Sequence, residues 1–95
     1  MDEPKKDFFG RADAHIHLSN EQSQKAKRGN VSASMLYGTA RYNAYAVASN
    51  YSSSEKLLEE RDKIIDYLVD QYRKMLDENM NDYLKNFEQY VLTPQ

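Results

Sequence analysis

The chain has no cysteine, only three glycines and two prolines among 95 residues, and no long apolar run. Without cysteine there is neither a disulfide framework nor a thiolate zinc site, a composition compatible with a reducing compartment. Without about 18 consecutive apolar residues there is no candidate membrane helix. The opening segment MDEPKKDFF is charged and lacks the apolar stretch and small-residue cleavage site of a secretory signal. An excess of one charge is also missing. The net charge is −2 and acidic and basic residues alternate along the chain, so no long-range field draws nucleic acid or an anionic membrane. These absences point to a soluble, cytoplasmic protein. No repeat of fixed period and no low-complexity segment is found, which excludes solenoids and arrays.

What is present reads as helix. A content of 40% apolar and 29% charged residues suits one all-α domain over residues 1–95 with a modest core. Asp2, Glu3 and Pro4 make a helix start, and Lys25, Lys27 and Arg28 before Gly29 make a helix end, so helix 1 is predicted over about 4–27. Its apolar face, Phe8, Phe9, Ala12 and Ile16, continues as the small residues Ser19, Ser23 and Ala26, which implies close packing there. Helix 2 is predicted over about 31–50, capped by Asn30 or Ser32 with Val31 as a staple. Ser52 and Glu55 have capping-box spacing and open helix 3, predicted over about 53–91 before Thr93 and Pro94 stop it. Glu59 with Lys63 and Asp70 with Lys74 are spaced as ion pairs on its solvated face.

The lengths conflict. At 1.5 Å per residue helices 1 and 2 span roughly 35 and 27 Å, and an unbroken helix 3 nearly 60 Å. Two outcomes resolve this. The chain breaks near Asp77–Asp82, where weak helix formers cluster, and a short fourth helix folds back. Alternatively, Met80, Tyr83, Leu84, Phe87 and Tyr90 form an exposed patch that meets a second protomer, giving a homodimer.

In SASMLYGTARYNAYAVASNY, Ala33, Leu36, Ala40, Ala44 and Val47 fall on one helical face, and Met35, Gly38, Tyr42 and Tyr45 on much of the other. Helix 2 is therefore expected to be buried on two sides, as the central element of a three-helix bundle, with tyrosines supplying the area that alanines cannot. Arg41 lies between Tyr37 and Tyr45 at spacings of four. The preferred reading is structural: a guanidinium laid over tyrosine rings and paired with a carboxylate of helix 3. The functional reading is a small-molecule or anion site with Arg41 as the clamp.

Other chemistry is thin. His15 and His17, two apart on a helix, point about 160° away from each other and cannot share a metal ion. Asp13 and His17 have the spacing of a hydrogen-bonded pair. No serine, histidine and carboxylate form a recognisable triad, and Gly10, Gly29 and Gly38 make no phosphate loop. The cluster Lys25, Lys27, Arg28 reads first as a favourable helix C-terminus and only second as a nucleic-acid contact. No cofactor is implied, and no catalytic or metal site is assigned.

The segments FFGRADAHIHLSNEQ, KRGNVSASMLYGTARYNAYAVA and DYLVDQYRKMLDENMNDYLKNF together resemble a family of small bacterial proteins catalogued as a domain of unknown function. The resemblance covers nearly the whole chain and implies a bacterial source, with no activity, cofactor or catalytic residue to carry over. The function expected from the residues is that of a non-enzymatic helical module acting through protein contacts or self-association.

Overall fold

A computed structural model of the chain describes residues 3–92. Three α-helices follow in order, α1 (Lys5–Gln22), α2 (Arg28–Ala48) and α3 (Ser54–Lys85), and then a π-helical turn, Glu88–Leu92. The fold is all-α with three main helices, as the sequence predicts, and among the described residues there is no strand. The expected single domain is organised as two compact units, Met1–Asn50 with α1 and α2 and Tyr51–Gln95 with α3 and the π-helical turn.

In the first unit Pro4 is the N-cap of α1, with φ −59° and ψ 140°, where its missing N–H removes no helix bond. Glu3 pairs with Arg11. The helix ends at Gln22, five residues before the expected Lys27. The Ser19 and Ser23 hydroxyls donate to the carbonyls of His15 and Ser19 at 3.1 and 2.9 Å. The N–H groups of Gln24 and Lys25 then reach back only three residues, to Glu21 and Gln22, at 3.2 and 3.1 Å. The last turn tightens and the chain turns without a glycine.

The next helix accordingly begins early. Lys27, at φ −65° and ψ 141°, is the N-cap of α2, and no side chain caps it. Neither Asn30 nor Ser32 holds that position, and Gly29 lies inside the helix instead of ending one. Lys25, Lys27 and Arg28 thus stand at the positive end of the α2 dipole, not at the negative end of α1, and no acidic residue occupies the first turn of α2. Val31 is the one buried residue among those described, 5% exposed. Ser19 and Ser23 are half-buried, and the Ser19 hydroxyl lies 3.3 Å from the Met35 sulfur, so the small-residue face of α1 does meet α2. Within the first unit α2 packs against α1 on one side. Leu36, Tyr42 and Tyr45 are all more than half exposed, because this unit supplies α2 with a single neighbouring helix.

In the second unit Ser53, not Ser52, caps α3. It is extended, at φ −157° and ψ 156°, and its hydroxyl accepts from the Lys56 N–H at 3.2 Å. Glu55 in the first turn and Lys85 in the last complement the dipole. Lys74 pairs with Asp70 at 3.0 Å as expected, whereas Lys63 lies 3.8 Å from Glu60 and not against Glu59. The break considered near Asp77–Asp82 does not occur. The Asn79 amide donates to the Met75 carbonyl at 2.7 Å, four residues back along the helix. Its polar side chain therefore follows the ladder instead of competing with it. The interruption comes at Asn86, φ −116° and ψ 29°, whose amide bonds the Asp82 carboxylate and carbonyl at 2.8 and 3.2 Å.

Replacing Lys27 by Asp supplies α2 with the cap it lacks and reverses a charge at its dipole. The expected gain is about 1 kcal/mol, measured by urea unfolding followed by circular dichroism. Ser53→Ala should lose about 1 kcal/mol in the same assay.

Candidate functional site

The helical pitch determines which α3 side chains share a face. Advancing 100° per residue, Leu58, Val69 and Met80 recur every eleven residues, as do Ile65 with Leu76 and Tyr72 with Tyr83. All seven fall within a strip about 80° wide that runs the length of the helix. They are apolar or aromatic, and each is 42 to 70% exposed. Leu57, Glu60, Ile64, Leu68 and Gln71 form a half-buried edge on one side of this seam, while Lys56, Lys63, Asp70 and Lys74 occupy the opposite face of the helix. One charged interruption lies on the seam, between Leu58 and Ile65, where Arg61 donates to Asp62 at 2.7 Å.

Of the residues expected in the C-terminal patch, Met80 and Tyr83 lie on the seam, and Phe87 follows the interruption at Asn86, half exposed. Leu84 is exposed but sits about 100° from Ile65 around the helix. Tyr90 is half-buried in the π-helical turn, its ring edge-on to Tyr83 with centroids 5.0 Å apart. The Tyr90 hydroxyl donates to Asp82 at 3.4 Å. The negative charge of Asp82, then partial burial and that hydrogen bond, push the Tyr90 phenol above its ordinary range. Leu58, Ile65, Val69, Tyr72 and Leu76, the N-terminal part of the seam, are not among the candidate residues that the sequence pattern singles out. The eleven-residue recurrence was the signal that separates them from the half-buried edge.

The Arg41 constellation is only partly assembled. Arg41 lies over the Tyr37 ring at 5.7 Å, but the Tyr45 ring stacks with Tyr42 at 6.2 Å and does not close the other side. Both tyrosines of the expected clamp are about two-thirds exposed. Within the first unit Arg41 pairs with no carboxylate among the described residues. His17 meets Glu21 at 3.2 Å, not Asp13. Among the described residues no group of three histidines and carboxylates could hold a metal ion, and no helix is long and apolar enough to cross a membrane.

The architecture defines an all-α protein of three main helices, the third carrying a continuous exposed apolar seam. Residues 8–84 match the family described as "Protein of unknown function (DUF3144)", and the chain belongs to that family. Among solved structures, it is similar to one titled "NMR structure of the protein NB7890A from Shewanella sp", at 38% identity and a TM-score of 0.75. That match covers 93% of this chain and 94% of the other. No curated protein matches.

The Asp82 to Tyr90 contact has a pH signature. A phenol whose ionisation is raised in the folded state costs stability once the pH passes the unfolded tyrosine's value, because the folded chain resists deprotonation. Asp82→Asn removes the largest cause, and the Tyr90 ring resonances should then titrate at lower pH than in the wild type, as followed by NMR.

Proposed function

We propose that this protein is a non-enzymatic helical module that works through protein contacts, and that its primary contact is self-association along α3. The observation that carries this reading is the seam: seven apolar or aromatic side chains in one strip, each between two-fifths and seven-tenths exposed. Single exposed apolar residues are ordinary on protein surfaces, but a contiguous strip on one helix is the signature of an association surface. A helix of this length also draws most of its stability from packing an apolar face, and no residue of α3 is buried. A cytoplasmic, bacterial setting fits the composition and the family resemblance.

The small-molecule or anion site around Tyr37, Arg41 and Tyr45 has less support. One guanidinium over one exposed ring contributes about 0.5 to 1 kcal/mol, and Tyr45 is turned toward Tyr42. Nucleic-acid contact through Lys25, Lys27 and Arg28 draws on three cations around the start of α2 and no interleaved aromatic platform.

Sedimentation equilibrium of the full chain beside a Tyr83→Asp, Phe87→Asp double variant tests the reading. The wild type should be a dimer, and the variant a monomer with unchanged helix content. A wild type that stays monomeric at high micromolar concentration would overturn it.

A further inference from the structure

A thioether rests against a hydroxyl where α1 meets α2. We propose that Met35 is a redox modification site, at which oxidation of the sulfur to the sulfoxide by a hydroperoxide loosens α1 from α2. Met35 and Ser19 both belong to the first unit, and the geometry is complete within it.

The Ser19 hydroxyl lies 3.1 Å from the His15 carbonyl and 3.3 Å from the Met35 sulfur. It has one proton for two acceptors. The carbonyl is the stronger acceptor, so the proton returns to α1 and the thioether packs against the hydroxyl as an apolar group. Met35 stands one turn beyond the buried Val31, on the side of α2 that meets the half-buried Ser19 and Ser23. It keeps 39% of its surface open, room for a reagent as small as hydrogen peroxide. Met75 and Met80 belong to α3 and take no part in this contact.

In the step itself a sulfur lone pair attacks the terminal peroxide oxygen, an S–O bond forms and the O–O bond breaks. The sulfur gives up two electrons and the peroxide is reduced by two. The proton of the transferred oxygen passes to the departing one, which leaves as water or an alcohol. The product places a polar oxygen where only sulfur stood. It competes with the His15 carbonyl for the Ser19 proton, adds volume in a contact that small residues make close, and needs hydration beside Val31. All three effects separate the helices. Methionine sulfoxide reductases, one for each epimer, reverse the change, so the contact is a switch and not only a site of damage.

The absence of cysteine makes the test direct, since no thiol competes for the oxidant. The full chain and a Met75→Leu, Met80→Leu variant are treated with hydrogen peroxide. Trypsin then frees residues 29–41, in which Met35 is the single methionine, and this peptide should gain one oxygen. Amide exchange over residues 15–23, followed by NMR, should quicken about tenfold, as expected for an overpacked contact. The paired reductases should restore both readouts. Adding Met35→Leu should abolish the response, and Ser19→Ala, which clears room for the new oxygen, should shrink it. A peptide left unoxidised while Met75 and Met80 of the wild type are oxidised would overturn the site. An oxidised peptide with unchanged exchange would overturn its effect on the helix pair, as would a full response in either added variant.

Discussion

Everything in the second unit depends on burying the apolar seam of α3. A 32-residue helix has its ladder bonds satisfied internally, yet such bonds contribute little net stability against water, and burial of an apolar face is what holds a helix in place. The local devices of α3 are well made: a serine cap, an acidic first turn, a basic last turn and an i, i+4 ion pair. Each contributes a few tenths to about 1 kcal/mol. Together they define where the helix starts and ends. Burying half-exposed leucine, methionine and tyrosine side chains is worth more than any of them, which is why the association surface and the stability of this unit are one question.

The first unit solves a different problem with small residues. Ser19 and Ser23 present little volume and return their hydroxyls to the helix backbone, so they can face α2 without leaving a polar group unpaired. Among the described residues Val31 alone is buried, and the tyrosines of α2 are exposed, with rings against one another or beneath Arg41. That disposition explains why a helix rich in tyrosine and arginine need not be a ligand site. Ring and guanidinium satisfy each other on an open surface.

The places where sequence and structure part company share a cause. Ser52 and Ser53 are chemically equivalent candidates for one cap, and the extended backbone at Ser53 decides between them. Glu59 and Glu60 both lie within reach of Lys63, at spacings of four and three, and the rotamer selects Glu60. The basic cluster at Lys25 to Arg28 suits the end of one helix as well as sequence pattern can judge. The three-residue reach of the Gln24 and Lys25 N–H groups ends α1 sooner and leaves those cations at the start of the next helix. In each case two local solutions differ by less than about 1 kcal/mol, and pattern alone does not resolve differences of that size.

The all-α class, the three main helices and the apolar periodicity of α3 were determined by the sequence itself, because helical spacing of apolar residues and capping chemistry act over a few neighbours. So was the presence of too much apolar surface for the shorter helices to cover, since rise per residue follows from backbone geometry alone. The three-dimensional structure decided which α3 side chains stay exposed, whether the asparagines near Asp77–Asp82 break the helix, and which rings meet around Arg41. The last two outcomes turn on side-chain rotamers a few residues apart, Asn79 to Met75 and Tyr45 to Tyr42, and the first on packing, none of which residue type alone ranks.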